Sequence, residues 1–120
     1  MQPQEVEVWY ILPALRKSLA VALLRRGLSE SEIAKKLGVT KSAVSQYLNG
    51  KRAFIRVRGI NNEVKKAAEN IASGKCPTME IQKLCISVRK KGLLCKIHKR
   101  YDKSVKKDCN ICTKLLNIAK

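Results

Sequence analysis

Residues 28–50, LSESEIAKKLGVTKSAVSQYLNG, constrain this chain more than any other stretch, because they carry the signals for two short helices and a tight turn. Ser29, followed three residues later by Glu32, has the pattern of a capping box, which predicts that a helix begins just after Ser29. Gly38 supplies the positive φ that ends a helix at low cost, and Thr40 is a suitable N-cap for the next helix. The stretch therefore predicts two short helices joined by a turn that contains Gly38.

The second of these helices has one apolar face and one hydrogen-bonding face. Helical spacing turns four residues towards the core: Ala43, Val44, Tyr47 and Leu48. It leaves five polar side chains on the outside: Lys41, Ser42, Ser45, Gln46 and Asn49. A helical hairpin that only fills a core would explain the apolar spacing equally well. It would not explain this polar face, which is followed directly by Lys51 and Arg52.

The run IAKKLGVTKSAVSQYLNGKR resembles the helix-turn-helix of the phage-repressor, or Cro/XRE-like, transcription regulators. The resemblance extends over roughly residues 12–70 and implies a compact helical domain whose recognition helix, about residues 41–48, enters the major groove of DNA. In addition, the run VEVWYILPALRKSLAVALLRRGLS, taken with the cysteines of the tail, is similar to a group of small archaeal predicted regulators.

The polar face predicts which side chains contact DNA. Base readout is expected from Lys41, Ser42, Ser45 and Gln46, of which Gln46 suits a bidentate contact with adenine. Phosphate contacts are expected from Thr40, Asn49, Lys51 and Arg52. Ser29 at the start of the first helix, and Arg56 and Arg58 in the basic stretch after the second, complete the predicted DNA-binding set.

The net charge of the chain indicates a polyanionic partner. The chain has 26 Lys and Arg against 9 Asp and Glu among 120 residues, a net charge of +17, which is distributed over both halves. Such an excess attracts nucleic acid more naturally than an acidic small substrate, and no small-molecule substrate is evident. The sequence has no apolar run of membrane-spanning length and no signal-peptide pattern, so we expect a cytoplasmic protein.

Five cysteines in a reducing compartment favour metal ligands over disulfides. Cys95-x2-His98 and Cys109-x2-Cys112 form two short hooks of the kind that converge on one metal ion. Zinc could take these four residues. An iron–sulfur cluster could instead take Cys85, Cys95, Cys109 and Cys112, with His98 as an alternative ligand. Because a regulator needs an input and no other sensor is evident in the tail, the iron–sulfur cluster is slightly favoured over zinc.

These patterns predict a mainly α protein in two parts. Residues 1–74 would form a five-helix, XRE-like helix-turn-helix domain with an N-terminal arm, and residues 75–120 a small, helical, cysteine-rich domain that binds a metal or an iron–sulfur cluster. The alternation in EVEVWYI predicts a short strand or extended arm, Asn61 or Asn62 is expected to cap a helix that ends near Ser73, and Thr78 to cap the next.

The function predicted from sequence is a sequence-specific transcription regulator that binds double-stranded DNA as a homodimer, with a redox- or metal-responsive cysteine cluster. The alternative is a general nucleic-acid-binding protein with a structural zinc site, for which the basic tail would be the main contact. An enzyme is disfavoured because the chain has one His and no evident nucleophile–base pair.

Overall fold

The structure, a computed structural model, describes residues 2–53 and 57–101, and within these ranges every regular element is a helix. In chain order the elements are α1 (Pro3–Val6), a π-helical turn (Glu7–Ile11), α2 (Leu12–Arg25), α3 (Glu30–Leu37), α4 (Lys41–Leu48), α5 (Asn61–Ala72), α6 (Pro77–Lys90) and α7 (Leu93–Tyr101). The prediction of a mainly α fold is confirmed for this part of the chain. None of its helices is long and apolar enough to cross a membrane.

The prediction of a strand or extended arm at EVEVWYI was wrong, because this segment is helical. Val6, Ile11 and Leu12 all have right-handed helical dihedrals, so α1, the π turn and α2 follow one another without a break. Pro13 explains the π turn, since its ring would clash with a carbonyl of the preceding turn in a regular α-helix. Within this segment Val6 and Ile11, five residues apart, are fully buried, whereas Val8 is exposed, so burial does not follow the alternation that had suggested a strand.

Helix α2 lies at the centre of the fold. It packs against α3, α4 and α5, and its residues Leu15, Leu19 and Leu23, each four apart, are fully buried along one side. Burial of each leucine side chain contributes roughly 1.5 to 3 kcal/mol. This stripe therefore supplies much of the core on which the helix-turn-helix rests.

Helices α6 and α7 pack on the same core. Leu84 and Val88 of α6 and Leu94 of α7 belong to the hydrophobic cluster that also contains the buried residues of α2 and α5. Polar contacts reinforce the packing, because Asn70 Nδ2 donates to Glu80 Oε1 at 3.3 Å across the α5–α6 junction. The division into residues 1–74 and 75–120 stays a prediction, as does the cysteine-rich domain.

Two charged contacts join distant parts of the chain. Arg89 Nε on α6 donates to Glu7 Oε1 in the π turn at 2.8 Å. Lys91 Nζ donates to the Gly59 carbonyl at 2.8 Å and also pairs with the Glu63 carboxylate. The pKa of Glu63 is lowered, chiefly by the hydrogen bond from Lys91. The segment that precedes α5 is thus held against the end of α6.

Two predicted helix caps were wrong. The N-cap of α5 is Ile60 rather than Asn61 or Asn62, and it provides no side-chain hydrogen bond. The N-cap of α6 is Cys76, with Pro77 as the first helical residue, so the helix begins before Thr78. Proline tolerates the first turn because its missing N–H would have no intrahelical acceptor there. Both helices thus begin without a side-chain hydrogen bond at the N-cap.

Candidate nucleic-acid interface

The helix-turn-helix forms as its local signals predict. Ser29 Oγ accepts a hydrogen bond from the Glu32 backbone N–H at 3.2 Å, and the Ser29 N–H donates to Glu32 Oε1 at 3.2 Å, which completes the capping box. Gly38 has φ +68° and ends α3, and its N–H donates to the Ala34 carbonyl. Thr40 Oγ1 then accepts from the Ala43 N–H at 3.0 Å and starts α4. Both helices are therefore defined at their ends by hydrogen bonds.

Helix α4 divides into faces as expected. Ala43, Val44 and Tyr47 are buried, and Leu48 is partly buried against the core. On the other side Lys41 and Ser42 are exposed, Ser45 and Gln46 are partly buried, and Asn49 at the C-cap is exposed. The predicted base-contacting residues thus lie on one accessible surface, and no acidic residue lies on α4.

A contact that the sequence analysis missed positions a basic side chain beside this surface. The guanidinium carbon of Arg52 lies 5.8 Å from the centroid of the Tyr47 ring, within the range of a cation–π interaction. Tyr47 is buried, so its ring is a fixed platform. Arg52 is exposed and stays available to an anion. The spacing of five residues across a helix end has no regular periodicity that would reveal such a pair.

The hydroxyl groups of the two N-cap residues each accept one hydrogen bond and keep a proton to donate. Ser29 and Thr40 each use the hydroxyl oxygen as an acceptor for a backbone N–H of their own helix. The hydroxyl proton remains to be donated, as a contact with a phosphate oxygen would require. Both residues are exposed, and their geometry is compatible with the phosphate contacts expected of them.

The remaining basic residues of the predicted set lie after α4. Lys51 is exposed, and its backbone N–H donates to the Gln46 carbonyl at 2.9 Å, which ties this residue to the last turn of the helix. Arg58 is exposed in the short segment just before α5. Arg56 lies outside the described residues. Its predicted phosphate contact stays a prediction.

Three of the predicted metal ligands are in the described part of the chain. Cys85 on α6 is buried, and Cys95 and His98 lie one turn apart on α7, partly buried and buried respectively. Burial, and next the negative charge of Glu7, raise the pKa of the Cys85 thiol, against the opposing effect of Arg89 and Arg16. Cys109 and Cys112 lie outside the described residues. Among residues 2–53 and 57–101, no three His, Cys, Asp or Glu side chains converge as metal ligands.

The comparison with protein families agrees with this geometry. Residues 19–54 match the family model described as Helix-turn-helix, which is of the Cro/XRE type. The matched segment contains the second half of α2 and all of α3 and α4. Comparisons with curated proteins and with solved structures find no match. Residues 19–54 therefore match a helix-turn-helix of the Cro/XRE type, the DNA-binding unit of transcription regulators.

Proposed function

We propose that the protein reads a specific DNA sequence by inserting α4 into the major groove. The observation that carries this proposal is the accessible polar face of α4, where Lys41, Ser42, Ser45 and Gln46 adjoin one another above a buried apolar face. An amide side chain such as Gln46 can both donate to and accept from the major-groove edge of adenine. Its partial burial restricts its rotamers, which favours a directional contact over a diffuse one.

Phosphate contacts would orient α4 in the groove. The hydroxyl proton of Thr40 is free to donate at the start of the helix, and Arg52 is held over the Tyr47 ring beyond its end. Asn49 and Lys51 are exposed between them, and Ser29 and Arg58 extend the same set. Such contacts fix orientation and add affinity for any sequence, because every phosphate carries the same charge.

The experiment compares two substitutions on the preferred site of the wild-type protein, which is first selected from a pool of random duplexes. Gln46→Ala should relax the preference at one or two base pairs by about 1 to 3 kcal/mol, whereas Arg52→Ala should weaken binding to all duplexes alike. Gln82→Ala, at an exposed glutamine of α6, serves as the control and should leave both quantities unchanged. Equal, sequence-independent losses for both substitutions would contradict the assignment.

Selection from the random pool also distinguishes a sequence-specific regulator from the alternative, a general nucleic-acid-binding protein. A general nucleic-acid-binding protein would yield no preferred duplex, and its affinity would fall steeply with salt for every sequence. That result would assign the dominant contact to the basic surface rather than to α4.

We further propose that the regulator acts as a homodimer on a pseudo-palindromic site, because one recognition helix reads only a few base pairs. Val8 and Trp9, each 57% exposed, and Leu24, 45% exposed, are large apolar side chains that a partner subunit could cover. Sedimentation at micromolar concentration should give the mass of a dimer, and Trp9→Gln should lower the measured mass towards that of the monomer. Met79→Gln, at an equally exposed residue of α6, is the matched control. A wild-type monomer with single half-site footprints would refute the dimer.

The third element of the proposal is a metal-responsive cysteine cluster. Cys95 and His98 fit a metal hook, since their spacing of three places them on one face of α7. Cys85 is 6% exposed and belongs to the hydrophobic core, and His98 is 8% exposed, so burial does not separate the two ligand sets. The zinc set is Cys95, His98, Cys109 and Cys112, and the iron–sulfur set replaces His98 with Cys85.

Metal content and visible absorption of anaerobically purified protein test this element directly. An iron–sulfur cluster would give coloured protein that bleaches in air, whereas zinc would give colourless protein indifferent to mild oxidants. His98→Ala should release zinc but spare a four-cysteine cluster. Metal loss should change DNA affinity, because 15 basic and 5 acidic residues lie after residue 58 and any rearrangement there moves positive charge. Metal-free protein with normal DNA affinity would exclude both chemistries.

A further inference from the structure

A cleft lies along one side of the packed helices α2 and α5, beside the chain that follows α4. Its volume is about 450 Å³, within the range typical of small-molecule sites. The residues of α2 that face it recur at helical spacing, and the others come from α5 and from the connection between α4 and α5. They are Ala14, Lys17, Ser18, Val21, Ala22, Arg25, Ala53, Val57, Asn61, Val64 and Lys65.

The chemistry of this lining is cationic above an apolar floor. Lys17 and Arg25 on α2 and Lys65 on α5 line the cleft, and none of the described lining residues is acidic. None of these three side chains has a hydrogen bond or an ion pair with another described residue. Val57 and Val64 are already buried, whereas Val21 and Ala22 on α2 are partly buried and form the accessible apolar floor. The positive groups are therefore available to an anion.

We propose that this cleft binds a small amphipathic organic anion. Its carboxylate or phosphate group would pair with the basic side chains that line the cleft, and its apolar part would cover Val21 and Ala22. Inorganic phosphate would satisfy the cations but leave the apolar floor in water. Charge and apolar area together therefore select an organic ligand.

The position of the cleft couples it to the nucleic-acid interface, a step that rests on the proposed function. Ala53 lines the cleft and follows directly on Lys51 and Arg52. It has φ +64°, which is unfavourable for a residue with a Cβ and so is sensitive to what contacts it. A ligand against Ala53 would shift the orientation of the two basic residues and change DNA affinity.

Phenyl phosphate is a suitable probe because it combines a phosphate with an aromatic ring. Titration of the ¹⁵N-labelled full chain at constant ionic strength should give saturable amide shifts at the residues that line the cleft. Inorganic phosphate and benzyl alcohol, which each lack one half of the probe, should bind at least threefold more weakly. Equal binding of either one, or the absence of saturable shifts, would overturn the proposal.

Two neighbouring lysines provide a matched test. Lys65→Gln should weaken phenyl phosphate binding about three- to tenfold through loss of one charge-assisted contact. Lys66→Gln removes the same charge from the next exposed residue of α5, which does not line the cleft, and should change binding less than twofold. Lys17→Gln repeats the test from α2 if Lys65→Gln perturbs folding. Equal losses of phenyl phosphate affinity for the substitutions at 65 and 66 would show that binding reflects only the general positive charge of the surface and would overturn the proposal.

A duplex of arbitrary sequence at low salt distinguishes the ligand from a DNA phosphate. The cleft amides should keep their response to phenyl phosphate when the duplex is bound, and saturating probe should change the duplex dissociation constant at least threefold. Displacement of the probe by the duplex would make the cleft part of the DNA surface and overturn a separate site. An unchanged dissociation constant would overturn the coupling. The direct titration stands even if no duplex binds, so the failure of the site and the failure of the proposed function are distinguishable.

Discussion

Leu84→Ala tests whether the helix-turn-helix and the C-terminal helices unfold as one unit. Leu84 is 2% exposed on α6 and belongs to the cluster that contains the core residues of α2 and α5. Truncation of a buried leucine costs about 2 to 5 kcal/mol because apolar contact is lost and a cavity remains. With a midpoint shift of about 4 °C per kcal/mol for a chain of this size, a loss of about 3 kcal/mol lowers the melting temperature by roughly 12 °C.

The assay is thermal unfolding followed by far-ultraviolet circular dichroism and by the fluorescence of Trp9, the single tryptophan of the chain. Trp9 lies in the π turn, far along the chain from α6, so a shared transition would report a shared core. Met79→Ala removes an exposed side chain from the same helix and should change stability by less than about 0.5 kcal/mol. Two separate transitions, of which only one shifts in Leu84→Ala, would refute the single core and favour the predicted division after residue 74.

Two further predictions concern titratable groups. Iodoacetamide should label the exposed Cys76 before Cys85, which is buried and has a raised pKa, and labelling of Cys85 should increase only at a higher pH. The labelling rates are measured by mass spectrometry of the peptides, and equal rates for the two cysteines would contradict the prediction. Because the pKa of Glu63 is lowered from its ordinary value of 4.5, its contact with Lys91 should stabilise the fold above that pH and be lost as the pH falls through the lowered value. The difference in melting temperature between wild type and Glu63→Gln should therefore vanish in acid, and a difference that persists there would contradict the assignment.

The helix-turn-helix was predictable because its signals are local. The side chains of Ser29 and Thr40 cap helices within three residues of their own position, and Gly38 meets a backbone requirement at its own site. The faces of α4 follow from helical spacing alone. For the same reason the candidate DNA contacts that the structure describes lie on one surface, while the contributions of each to affinity stay predictions.

The segment before α2 shows where local pattern fails. The alternation of acidic and apolar residues indicated a strand, but the hydrophobic cluster buries Val6 and Ile11 on a helix that Pro13 distorts into a π turn. Likewise, the N-caps at Ile60 and Cys76 lack side-chain hydrogen bonds, so contacts elsewhere must compensate for them. Before α2 and at Ile60, which is 1% exposed, long-range burial outweighed preferences of about 1 kcal/mol per residue.

The sequence by itself therefore determined the two helices of the DNA-binding unit, their caps and the basic character of the chain, all of which depend on residues a few positions apart. Only the tertiary structure brought Arg52 over Tyr47, joined α6 to the core of α2 and α5, and placed Lys17 and Lys65 along one cleft. The first of these arrangements depends on the path of the chain just after α4. The other two depend on how helices distant in sequence pack, and that packing is decided by the sum of many weak apolar contacts rather than by any short pattern.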